Sequence, residues 1–369
     1  MAEENGQPWP EPRANPRLLG HEDAEAALLR AKESGRLPHA WLLTGPRGVG
    51  KATLAFRFAR FLLAGGGENA AQGAALFGEA DLPQTGLALP EESPIFRRVA
   101  AGGESDLLTL ARGYNDKTKK LRSEIIVEDT RNAIGFLRMT SGGGGYRMLI
   151  VDSVDDMGSS AANALLKVLE EPPEQAVLLL ISHSPGGLLP TIRSRCRKLR
   201  LTGLPEDVLV QLLDDYAPDL GSDEKLALAR MSGGSIGRAL TLSRNGGLEL
   251  YQEMIAVLSS LPKLDIPRVY GFGDKLARDQ SGDSFRTGGD LLCNWLAELV
   301  RSGGAGAEPP DVVVGESELR HRLLAGGGLA QWLALWENLS RLFGRAERAN
   351  LDRRQVVVSA FLEIEALMA

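Results

Sequence analysis

The chain has 369 residues, 43% hydrophobic and 24% charged, with a net charge of −6; this fits a globular protein of two or three domains. The acid excess argues against a surface given over to nucleic acid, although a local basic patch stays compatible with it. Two cysteines, Cys196 and Cys293, make neither a disulfide framework nor a four-cysteine zinc site, so a reducing compartment and no zinc are expected.

The opening "MAEENGQPWPEPRANPR" is acidic and proline-bearing, unlike a signal peptide. No apolar run approaches the roughly 20 residues of a membrane span. Residues 1–18 are expected as a flexible tail and the protein as cytoplasmic. A helix follows over about 19–35, then "HAWLLTG", an apolar run ending at glycine that suits a buried parallel strand. "KATLAFRFARFLL" has helical periodicity. Residues 64–122 have the glycines and prolines of loops and are expected as an insertion. "EIIVEDTRNAIGFLRM" reads as a short strand entering a helix, with Asp129 or Thr130 as N-cap.

"RMLIVDSVDDM" is the next buried strand, with Asp152 at its carboxyl end. "SSAANALLKVLEEPP" is a helix stopped by two prolines, "AVLLLISHS" another strand, and "LLPTIRSRCRKLRL" a turn into a last one. Alternation over 19–202 implies an α/β domain with a parallel sheet, whose ligands sit at the carboxyl ends of strands. After Leu204 no strand pattern recurs: 203–246 is expected as a small helical domain and 247–369 as an all-α domain. In the latter Trp332, Leu335, Trp336, Leu339, Leu342 and Phe343 form one helical stripe, a core face rather than a ligand site.

"GPRGVGKAT", Gly45 to Thr53, has the outline of a phosphate loop between strand and helix. In such a loop backbone N–H groups surround phosphate oxygens, a lysine adds charge, and a hydroxyl after the lysine holds Mg²⁺. Gly45, Gly48, Gly50 and Lys51 supply the first two parts. Ala52 removes the third, and Thr53 points about 100° away on a helix. Asp152 suits the acidic strand end of an ATPase, or a structural strand end. The next position, where many ATPases place a water-polarising glutamate, is Ser153. "RSRCRKLR", Arg193 to Arg200, carries five basic residues in eight. It reads either as a solvated strand end or as the source of an arginine aimed at a neighbouring subunit's phosphate.

Together "GRLPHAWLLTGPRGVGK", "IIVEDTR", "MLIVD", "NALLKVLEEPP" and "TIRSRC" resemble, in order, the clamp-loader branch of the AAA+ ATPases and within it the delta-prime family of bacterial DNA polymerase III. The resemblance implies an AAA+ module over 19–202, a lid over 203–246 and a C-terminal collar that joins a ring of subunits. It implies partners in the tau/gamma motor subunits and the delta subunit, and through them the sliding clamp and primed DNA. It makes Arg195 the finger offered to a neighbour's ATP, and Gly45, Gly48, Gly50, Lys51, Thr53 and Asp152 the positions of a degenerate site for ATP or ADP, with Mg²⁺ left open. Ala52, Ser153 and Gly237, the last where motor subunits carry a lid arginine, favour a stator-like subunit with little ATPase of its own. The alternatives are an active clamp-loader ATPase using Lys51 and Asp152, and an unrelated phosphate-loop enzyme such as a small-molecule kinase.

Overall fold

The computed structural model describes residues 9–66, 86–115, 117–142, 145–305, 308–349 and 351–368. The chain divides into two compact units: residues 1–217 with 234–237, and residues 218–233 with 238–369.

The first unit is built on five parallel strands in the order β2-β3-β4-β1-β5. They are β1 (Ala40–Thr44), β2 (Leu107–Leu110), β3 (Arg147–Asp152), β4 (Ala176–Ser182) and β5 (Arg197–Arg200). Central strands β1, β3 and β4 are apolar on both faces because both faces are covered. Trp41, Leu43, Met148, Ile150, Val177 and Leu179 pack toward α1 (Glu22–Glu33) and α2 (Lys51–Leu63). Ala40, Leu42, Leu149, Val151, Leu178 and Leu180 pack toward α4 (Val127–Leu137) and α5 (Ser159–Glu170). Adjacent residues of one strand thus enter opposite cores, as the two-residue period of a strand requires. Among the described residues this unit also contains the helices α3 (Pro94–Ala100), α6 (Pro190–Arg195) and α7 (Glu206–Tyr216).

Three expectations are corrected. The interval 64–122, read as loop, supplies helix α3 and edge strand β2; residues 67–85 of it lie outside the described residues. Its strand is short and half-exposed, which leaves little alternation to read. The "EIIV" run is no strand. Ile125 makes a single bridge to Met157, and α4 begins at Val127 with Ile126 as N-cap. Asp129 and Thr130 therefore lie inside the first turn, where Thr130 Oγ1 donates to the Ile126 carbonyl at 3.1 Å. Residues 9–18, expected as flexible tail, are pinned: Arg57 donates to the Pro16 carbonyl at 2.6 Å and Arg60 to that of Asn15 at 2.8 Å. Arg60 is buried under the Phe96 ring, so the segment satisfies a guanidinium that would otherwise be orphaned. Residues 1–8 lie outside the described residues.

The second unit contains α8 (Ser222–Met231), most of α9 (Ile236–Arg244), α10 (Gly247–Ser259), α11 (Ile266–Arg278), α12 (Asp283–Ala305), α13 (Glu316–Gly326), α14 (Leu329–Ala349) and α15 (Arg353–Met368). On α14 Trp332, Leu335 and Leu339 are buried while Trp336, Leu342 and Phe343 are half-buried. The stripe is a core face. Among the described residues no helix is long and apolar enough to cross a membrane.

Candidate functional site

Strand β1 ends in the turn Gly45–Gly50, and α2 starts at Lys51. Gly45, Gly48 and Gly50 have φ of 146°, 77° and 110°, values that side chains rarely adopt. At Gly45 a Cβ would also run into the Leu201 carbonyl oxygen. The backbone turns of a phosphate cradle are therefore present. Lys51 is turned back onto them: its ammonium donates to the carbonyls of Gly45 at 2.7 Å and Pro46 at 2.6 Å. Ala52 packs against the apolar core and Thr53 is buried.

Burial pulls the Lys51 pKa down from 10.5 to about 8, against the opposing charges of Asp152 and Asp155. The folded state therefore releases the proton more readily than the unfolded one. Between about pH 8 and 10.5 the unfolded chain holds more protons, so folding stability gains with pH from this group. The parent's resistance to urea should accordingly rise across that window relative to Lys51→Met; parallel curves would contradict the burial.

Asp152 ends β3 beside the loop, and its burial raises its pKa while Lys51 lowers it. Ser153 is buried and carries no carboxylate for water activation. The next acid, Asp155, is engaged: it accepts from Ser182 Oγ at 2.9 Å, from the His183 N–H at 2.6 Å and from the Ser184 N–H at 3.2 Å. It thereby ties the turn after β3 to the end of β4. Asp155 lies three residues past the end of β3, and only the β3–β4 pairing reveals this role. Asp156 pairs with Arg112 at 3.3 Å. Among the described residues no group of three or more His, Cys, Asp or Glu is arranged to hold a metal ion.

Three further contacts close the loop within the first unit. The Gly237 N–H donates to the Gly48 carbonyl at 3.0 Å, and Ser235 Oγ to the Arg47 carbonyl at 2.8 Å. A Cβ at Gly237 would stand 3.0 Å from Gly48 Cα, so backbone occupies the space a side chain would need. From the other side His21 Nε2 lies 2.6 Å from the Val49 carbonyl. Neither His21 nor the Gly237 N–H stood out in the sequence, because both act on carbonyls far away in the chain. Arg238 faces the carboxylates of Asp290 and Glu298 on α12.

Arg195 ends α6, just before β5 begins. Its guanidinium pairs with Glu170 at 2.8 Å and donates to the Thr191 carbonyl at 3.2 Å, with a third of the side chain exposed. Because β1 and β5 run parallel with Trp41 beside Arg197 and Thr44 beside Arg200, Arg195 lies at the amino end of the sheet. The loop lies at its carboxyl end. At about 3.3 Å per residue the two are separated by on the order of 10–15 Å along the strands, so the structure does not bring Arg195 to Lys51.

Residues 20–205 match the family model described as "DNA polymerase III, delta subunit". The chain is 32% identical to the DNA polymerase III subunit delta′ of Pseudomonas aeruginosa, covering 71% of this chain and 72% of that one. It is 30% identical to the delta′ subunit of Escherichia coli over 64% of each chain, and 29% identical to the Escherichia coli tau subunit over 61% of this chain. The chain spans about a third of the length of the tau relative, 32%. The α/β unit carrying the loop and the strand-end acid is the part the family model covers, and the delta′ match extends over more than two thirds of both chains. The chain belongs to the DNA polymerase III delta-subunit family, as a delta-prime-like member.

Proposed function

We propose that the chain is the stator-like subunit of a replicative clamp loader, with little or no ATPase of its own, offering Arg195 to a nucleotide held by a neighbouring motor subunit. The observation that carries this reading is the contrast between the two ends of one sheet. At the carboxyl end the loop is closed from within: Lys51 on Gly45 and Pro46, Gly237 on Gly48, His21 on Val49. At the amino end Arg195 is exposed and held by a single carboxylate.

The loop residues fit a phosphate only in part. The glycine turns remain, but the lysine is engaged with carbonyls, Ala52 gives no hydroxyl, and Ser153 gives no base. This set does not make a hydrolytic nucleotide site. Tau/gamma subunits are the natural holders of the nucleotide that Arg195 serves, and the delta subunit, clamp and primed DNA complete the assembly. The helical unit, as collar, joins the ring.

Turnover by the purified chain alone, with Lys51→Ala as control, tests the first half of this reading. We expect no lysine-dependent hydrolysis; turnover of order 1 s⁻¹, inside the usual enzyme range, would overturn it in favour of an active ATPase.

A further inference from the structure

We propose that the hairpin formed by residues 112–115 and 117–122 is a contact site for single-stranded nucleic acid. The segment "RGYNDKTKKLR" holds five basic residues and one acid in eleven, in a chain whose net charge is −6. Its described residues are held in place by hydrogen bonds. Asn115 Oδ1 accepts from the N–H groups of Lys117 at 2.9 Å and Thr118 at 3.1 Å. The Asn115 N–H donates to Lys120 and the Lys119 N–H to Asn115, each at 2.8 Å. Tyr114 and Leu121 are paired across the hairpin.

The base is anchored by ion pairs, Arg112 with Asp156 at 3.3 Å and Arg122 with Asp129 at 3.1 Å. Beyond that base, Lys117, Lys119 and Lys120 are exposed. Lys119 adopts φ of 55°, a position where glycine is the cheap choice; a lysine there puts charge at the tip at some conformational cost.

Among these lysines stand two apolar side chains that the fold does not cover. Tyr114 is 67% exposed and Leu121 47%. An ordered aromatic face beside a basic tip is the arrangement that takes an unstacked base and its phosphates: the ring stacks, the ammonium groups neutralise. Duplex DNA offers phosphates but keeps its bases stacked, so the tyrosine favours a single strand. The location agrees. The hairpin follows β2, and in a parallel sheet the segments after β1, β2 and β3 emerge on the same carboxyl edge, where ligands of such sheets bind. This proposal does not rest on Arg195 or on the closed phosphate loop.

The test uses the full chain alone with a fluorescent oligothymidylate of about 20 nucleotides, followed by anisotropy at several salt concentrations. Three variants are compared: Lys117→Gln with Lys119→Asn and Lys120→Gln, which removes charge while asparagine tolerates the left-handed turn; Tyr114→Ala; and Tyr114→Phe. Losing three phosphate contacts should lower the log–log salt slope by about 2. Tyr114→Ala should weaken binding roughly 5- to 150-fold, and Tyr114→Phe should restore most of it. A duplex of equal length should bind more weakly and ignore Tyr114. No binding by the parent at low salt, or variants that bind as the parent does, would overturn the proposal. So would equal competition by polyglutamate with no effect of Tyr114→Ala, which would mark an acidic-protein contact instead.

Discussion

Replacing Arg195 with alanine is expected to leave the chain folded and assembled while removing most hydrolysis at the neighbour's nucleotide site that the proposed finger would serve. The stability side follows from exposure. Arg195 pairs with Glu170 at 2.8 Å, but 35% and 49% of the two side chains face solvent, and such pairs contribute about 0–1 kcal/mol. The catalytic side follows from charge. A guanidinium brought against a transferring phosphoryl group is worth about 10³–10⁵ in turnover. In the reconstituted loader, DNA-stimulated ATPase should therefore fall by at least the share of that site, with subunit association unchanged. Arg195→Lys should not rescue it, since an ammonium lacks the planar fork. Near-parental ATPase in Arg195→Ala would remove the assignment.

The second large effect concerns the helical unit. Glu316, at the start of α13, is fully buried. It accepts from Tyr251 Oη at 2.8 Å and from the Val313 N–H at 2.6 Å, and it lies 3.4 Å from Trp295 Nε1. The Arg320 guanidinium, also buried, sits 3.9 Å away and pairs with Asp311 at 2.7 Å. Glu316→Ala strands a buried hydroxyl and a backbone donor and leaves Arg320 with a single carboxylate. Breaking such a buried network costs about 3–5 kcal/mol, a large part of the 5–15 kcal/mol typical of a whole domain. Urea unfolding followed by tryptophan fluorescence should show that loss, with Glu316→Gln losing less because an acceptor remains. A midpoint close to the parent's would show the network to be dispensable. If the helical unit is the collar, as proposed, assembly should fail with the same variant at temperatures where the parent assembles.

How far the sequence revealed all this differs by element. Strands β1, β3 and β4 were legible because burial on both faces makes them continuous apolar runs bounded by turns. The glycine loop was legible because positive φ demands glycine at fixed spacing. Strand β2 was not: of its four residues only Leu110 is buried. "EIIV" misled because Ile125 is a core residue on a bridge to Met157, which imitates a strand's composition without its ladder. Ala52, Ser153 and Gly237 were visible as missing groups, yet what replaced them was not. The closures by Gly237 and His21 use a backbone N–H and an imidazole acting on carbonyls, and a carbonyl has no sequence signature. Glu316 was hidden for a related reason, since an acid on a helix surface and one buried under Tyr251 and Trp295 look alike until the helices are packed.

On the proposed reading this chain contributes an arginine to a neighbour's nucleotide and uses none of its own. The most direct measurement compares two otherwise identical loaders, one carrying Lys51→Ala and the other Arg195→Ala in this subunit, for DNA-stimulated ATP turnover. The lysine variant should stay near parental and the arginine variant should lose turnover at the neighbour's site. A collapse with Lys51→Ala and indifference to Arg195→Ala would contradict it.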